Sequence, residues 1–107
     1  MNAEMCFSQS YAEARDKFLA AAEAAGLTVD SRLHPLKGRD GEDLASDIVR
    51  DGPANAKRVL LITSGCHGVE GYCGSGVQVH LLGDDAFRQA ARVDEHYPWD
   101  KPGAGHA

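Results

Sequence analysis

Arg58-Val59-Leu60-Leu61-Ile62-Thr63-Ser64-Gly65-Cys66-His67-Gly68-Val69-Glu70-Gly71 is the stretch on which the reading of this chain turns. Its first half carries an unbroken apolar run from Val59 to Ile62. A run of this kind predicts a strand covered on both faces, as in the middle of an α/β sheet. Its second half is a glycine-rich bend, and the chain beyond it is predicted to continue as a helix toward Leu82, ended by Gly83. Ligand sites in open α/β sheets lie at the carboxyl ends of strands, in the loop entering the next helix. The bend after Thr63 is that position here.

Two metal-competent side chains stand in the bend, His67 and Glu70, spaced as H-x-x-E. A three-residue step across a tight turn lets both converge on one point. An imidazole nitrogen and a carboxylate oxygen suit Zn²⁺, which in catalytic sites takes three protein ligands and a water. The pair taken alone fits a surface His–Glu hydrogen bond as well as a metal site. Gly65, Gly68 and Gly71 permit a sharp bend and an open approach.

Toward the N-terminus, Ser10-Tyr-Ala-Glu13 has the form of a capping box. Tyr11, Ala14, Phe18, Ala22 and Ala25 then recur at helical steps, and Gly26 is a natural stop, so residues 11–25 are expected to be a helix. Leu27, Val29, Ser31 and Leu33 alternate with polar residues and predict a strand. Pro35 and Lys37-Gly-Arg-Asp-Gly-Glu42 mark a turn, and Leu44 to Val49 a second strand paired with the first as a hairpin. Asp84 is placed to cap a short helix running through Arg92. Tyr97-Pro-Trp-Asp-Lys-Pro-Gly lacks periodicity, which makes residues 93–107 an expected irregular tail after a domain of residues 1–92.

Phe7-Ser-Gln-Ser-Tyr-Ala-Glu-Ala-Arg15 and Ser64-Gly-Cys-His-Gly-Val-Glu-Gly-Tyr-Cys-Gly-Ser-Gly-Val-Gln78 resemble the opening and first metal motif of a bacterial family of unknown function. That family is related to the zinc carboxypeptidases and to the succinylglutamate desuccinylase and aspartoacylase group. The resemblance runs from about Phe7 to about Ala90. It implies that His67 and Glu70 are the first two zinc ligands, set at the end of a central strand in a carboxypeptidase-like mixed sheet. It implies zinc-dependent hydrolysis of an amide bond in a peptide or N-acyl amino acid substrate. Such enzymes also use a third ligand, a glutamate base and an arginine for the substrate carboxylate. Arg92-Val-Asp-Glu95 is similar to a family stretch, but His96-Tyr-Pro-Trp does not continue it. The expectation is therefore the N-terminal portion of such a domain, from a truncated or frame-shifted gene; the alternative is a non-catalytic fragment or interaction module.

No local residue completes the site. His80 lies ten residues beyond Glu70 on the same predicted helix, about 15 Å along its axis. His34 falls in the strand-to-turn region, and His96 and His106 in or beside the tail. A phosphate loop fails for want of Lys near the bend and of a third glycine after Gly74 and Gly76. Ser75 is not in G-x-S-x-G. Cys66 and His67 are adjacent, so their side chains diverge. Cys73 is expected to be buried with Val77 and Leu81, and Asp40, Glu42, Asp43 and Asp47 to form a solvated acidic turn.

The 107 residues fit one small domain, 43% hydrophobic and 25% charged, as in ordinary globular chains. A net charge of −5 with scattered basic residues argues against nucleic acid or an anionic membrane as partner. No signal peptide, membrane span or disulfide-framework spacing is evident, and a cytoplasmic setting is expected. The fold expectation is α/β: a helix, a hairpin, a buried strand, the metal bend and a second helix. With so few elements to cover it, the Val59–Ile62 strand is expected to leave an open edge and to promote self-association.

Overall fold

The computed structural model describes residues 2–65 and 69–92. Ser10 stands just ahead of the first α-helix, α1 (Tyr11–Ala24), and its Oγ accepts from the Glu13 N–H at 3.1 Å. The reciprocal arm of the capping box reaches one residue further back than usual, Glu13 Oε2 accepting from the Gln9 N–H at 3.3 Å. Gly26, at φ +74°, closes the helix. The Leu27 N–H donates to the Ala22 carbonyl and the Gly26 N–H to the Glu23 carbonyl, both at 2.9 Å, which is a Schellman motif. The face of Tyr11, Ala14, Phe18, Ala22 and Ala25 turns inward as its spacing predicts, with Ala14 and Ala22 fully buried.

The hairpin follows. β1 (Val29–Lys37) and β2 (Asp43–Val49) pair antiparallel, with Val29 opposite Val49, Ser31 opposite Asp47 and Leu33 opposite Ala45. β1 runs through Pro35, where a turn was expected, and the register is irregular between Leu33 and Lys37. Proline has no N–H to give a ladder, so the irregularity falls at that point. The Lys37 ammonium pairs with the Asp43 carboxylate across the mouth of the turn.

α2 (Gly71–Leu82) ends at Gly83, and α3 (Asp85–Arg92) begins after Asp84, whose Oδ1 accepts from the Phe87 N–H at 3.0 Å. α1 and α2 pack together, with a 3₁₀ turn at Ala3–Cys6 against α2. The buried apolar residues among those described are Cys6, Ala14, Ala22 and Val79. They are small, so the helical layer holds together through close backbone approach. A Cβ at Gly76 would overlap the Phe7 ring, which lies directly on the bare α2 backbone.

Polar links join the hairpin to the helices. The Tyr11 hydroxyl donates to the Ala45 carbonyl at 3.1 Å and accepts from the Ala45 N–H at 2.8 Å. Arg15 holds Asp47 in a forked pair, Nε to Oδ2 at 2.8 Å and Nη2 to Oδ1 at 3.1 Å, and the Ser31 hydroxyl donates to Oδ1 at 2.6 Å. The Asp47 side chain is only 9% exposed. At the other end of the molecule, Arg88 of α3 pairs with Asp51 at 2.8 Å and reaches the Ala25 carbonyl at 3.4 Å.

Mixed α/β content stands, and three expectations are corrected. The Val59–Ile62 run is not a buried strand: the described residues contain one two-stranded sheet, β1-β2, and the run lies outside it. Val59 is 81% exposed, Leu60 65%, Leu61 79% and Ile62 41%. The reason is the lack of an edge to join. Tyr11 occupies the outer backbone groups of Ala45 on β2, while the free edge of β1 carries Arg32, Pro35 and Lys37, residues that deter pairing. Cys73 is exposed and Val77 47% exposed, because α2 turns Gly76 and Val79 inward instead. Asp47 belongs to a shielded ion pair, not to a solvated turn. The expected tail, residues 93–107, lies outside the described residues.

Burial pushes the Asp47 carboxyl up, but hydrogen bonds from Arg15 and Ser31 and the Arg15 charge outweigh it and hold the pKa below the ordinary value. A depressed folded pKa gives stability that is present above the unfolded value, roughly 4, and lost as pH falls through the folded one. Asp47→Asn is expected to lower stability by about 2 kcal/mol at neutral pH. Denaturant unfolding followed by circular dichroism should show the gap from wild type closing as the pH drops below about 4.

Candidate metal bend

The bend is built by two glycines. Gly65 takes φ +77°, a left-handed conformation that L side chains rarely adopt. A Cβ at Gly71 would lie 2.8 Å from the Gly65 Cα, so the two backbones touch and the loop is pinned shut at its base. The segment leading in is held to α2 by one side chain: Gln78 donates from Nε2 to the Ile62 carbonyl at 2.9 Å, and its Oε1 accepts from the Ser64 hydroxyl at 2.8 Å.

Glu70 is the residue immediately ahead of α2, in αR conformation at φ −61°, ψ −17°. Its carbonyl accepts from the Cys73 N–H at 3.1 Å, and the Val69 carbonyl accepts from the Tyr72 N–H at 3.1 Å, so the turn runs directly into the helix. The Glu70 side chain makes no capping hydrogen bond and is exposed. A negative charge at a helix N-terminus is favoured by the helix dipole, which is reason enough for an acid there. With no capping bond to the helix, the carboxylate also presents its oxygens to the outside of the loop. That suits it as an oxygen donor to a hard or borderline cation.

His67 lies outside the described residues, as do Cys66, His96 and His106. Among the described residues, no three or more His, Cys, Asp or Glu side chains gather at one point. His80 stands exposed in the last turn of α2, apart from Glu70, as its ten-residue separation requires. His34 is exposed on β1, and its Nδ1 accepts from the Leu36 N–H at 3.0 Å, a local structural role. The polar cluster that sequence reasoning missed is Tyr11, Arg15, Ser31 and Asp47. The hairpin register that sets Ser31 opposite Asp47 was its one legible signal.

The family model described as "Protein of unknown function (DUF2817)" matches residues 7–95. The chain belongs to that family. No curated protein and no solved structure matches it. No helix among the described residues is long and apolar enough to cross a membrane.

Gly71→Ala is expected to force the base of the bend open, because the added methyl meets backbone that has nowhere to retreat. The cost should be about 1–3 kcal/mol, as for other overpacked sites. Thermal unfolding would measure it, and Ser75→Ala, also in α2, serves as the control expected to unfold near wild type.

Proposed function

We propose that this chain carries the opening ligand pair, His67 and Glu70, of a zinc-dependent hydrolase acting on amide bonds, of the carboxypeptidase or amino-acid deacylase type. The observation that supports the reading is Glu70: an exposed carboxylate without a capping bond, at the mouth of a bend whose base is closed by Gly65 on Gly71. The motif resemblance around His67-Gly-Val-Glu70 supplies the zinc and the substrate class, a peptide or N-acyl amino acid.

Zinc bound at such a pair polarises a substrate carbonyl and lowers the pKa of coordinated water. The residues of the chain contribute the donors and their placement. Gly65 and Gly71 fix the loop, Gln78 anchors the segment entering it, and Glu70 presents an oxygen at the start of α2. The third ligand, the general base and the arginine for a substrate carboxylate come, in this reading, from outside the described residues, where no third donor joins Glu70. A second reading is a non-catalytic interaction module, favoured by the exposed apolar run at Val59–Ile62.

Isothermal titration of Zn²⁺ into the apo chain tests the pair. Weak binding is expected, since two protein ligands leave the ion largely hydrated, and His67→Ala and Glu70→Gln should each weaken it further. Affinity unchanged by both substitutions would remove the pair from the site. Submicromolar affinity lost in either variant would show that a third ligand lies within these 107 residues.

The purified chain is expected to show no turnover of carboxypeptidase or N-acyl-amino-acid substrates. Chelator-sensitive turnover abolished by Glu70→Gln would place the acid–base group inside the chain and count against the interaction-module reading.

A further inference from the structure

Exposure along the apolar run alternates: Val59 at 81% and Leu61 at 79% stand out, while Leu60 at 65% and Ile62 at 41% are more covered. A two-residue alternation is the signature of an extended strand with one face turned toward its own molecule. Leu60 shares an apolar groove with Phe87, Ala90 and Ala91, which places α3 on its more covered side. Gln78 takes the Ile62 carbonyl. In an extended segment Leu60 and Ile62 direct their backbone groups to the same edge, so the edge formed by Val59, Leu61 and Thr63 is the one left for pairing.

This edge differs from the others in the molecule. β2 is occupied at Ala45 by Tyr11, and β1 is guarded by Arg32, Pro35 and Lys37. Between Val59 and Thr63 there is no charge and no proline. Residues 93–107 are poor candidates to cover it as a strand, since Pro98 and Pro102 each lack the N–H that a ladder needs.

We infer that the occupant is a second copy of this chain, paired antiparallel through Val59–Thr63 about a two-fold axis at Leu61. Charge selects the orientation. A parallel, in-register pair sets Lys57 against Lys57 and Arg58 against Arg58, and like charges directly opposite destabilise a sheet. The antiparallel pair sets Leu61 opposite Leu61, Leu60 opposite Ile62, Val59 opposite Thr63 and Arg58 opposite the neutral Ser64. Every apolar residue of the run then has a cross-strand partner, and the cations are separated. Shifting the axis to Leu60 would set Arg58 against Ile62 and lose that match. Because Gln78 closes the opposite edge, the arrangement stops at two copies and forms a closed, isologous dimer. The inference does not depend on zinc or on the hydrolase reading.

Sedimentation equilibrium of the 107-residue chain should give a monomer–dimer equilibrium, and Leu61→Lys should lose the dimer while keeping its helical circular dichroism. Register is read by disulfide trapping in a Cys66→Ser, Cys73→Ser background, Cys6 being buried. Leu61→Cys should cross-link to itself, since hydrogen-bonded antiparallel partners have Cα atoms about 5.5 Å apart, within disulfide reach. Val59→Cys should not, its counterpart lying about 14 Å along the strand. If Leu61→Cys fails to fold, the Val59→Cys, Thr63→Cys double variant reads the same register and should cross-link. A wild-type monomer at high concentration, equal cross-linking at positions 59 and 61, or assembly beyond the dimer would overturn the proposal.

Discussion

Close backbone approach to α2 is the constraint on which the rest of the molecule depends. The Phe7 ring lies on Gly76, and Gly65 lies on Gly71, with no side chain between. Glycine costs a helix about 1 kcal/mol relative to alanine, and α2, with Gly71, Gly74 and Gly76, is a weak helix by propensity. Its apolar stripe is also indistinct. Tertiary contact must therefore hold it, and that contact exists only because the glycines leave room. One helix thus fixes the N-terminal turn on one side and the base of the bend on the other.

The remaining connections are polar and specific. With a core of small residues, little free energy comes from burial, and the hairpin is tied on by the Tyr11 bridge to Ala45 and by the Arg15–Asp47–Ser31 cluster. Hydrogen-bonded ion pairs of this kind are strong when shielded and costly to break on one side only. They also hold the hairpin in one orientation, which a thin apolar contact would not. Arg88 serves the same purpose for α3, joining it to Asp51 and to the carbonyl that ends the first turn of connection after α1.

Glu70 and the Val59–Ile62 run flank the same bend but differ in what they need. A carboxylate at a helix start is content in water and stays available. An apolar run is not content there, and its alternation of exposure shows a strand prepared on one side only. A chemical donor and an adhesive edge within about ten residues of each other would couple metal chemistry to assembly, since ordering the run orders the segment that leads into the bend.

Local order was legible from the residues alone wherever it is set within one turn of chain. Ser10, Gly26, Gly83 and Asp84 start and stop their helices through hydrogen bonds to near neighbours, so spacing was enough to place them. The hairpin was legible because alternation and turn residues are also local, although Pro35 lay inside the strand. The candidate site was legible as a motif, His67 and Glu70, because ligand chemistry is a property of residue type. What the tertiary structure alone decided is which apolar residues are covered. Val59 to Ile62 have the composition of a central strand, but a strand is completed by neighbours, and no edge in this chain is free to receive it. Asp47 shows the reverse case: an acid in a run of acids was taken for a solvated residue until the register brought Ser31 and α1 brought Arg15 against it. Burial and pairing are long-range properties, and they depend on what the rest of the chain places alongside.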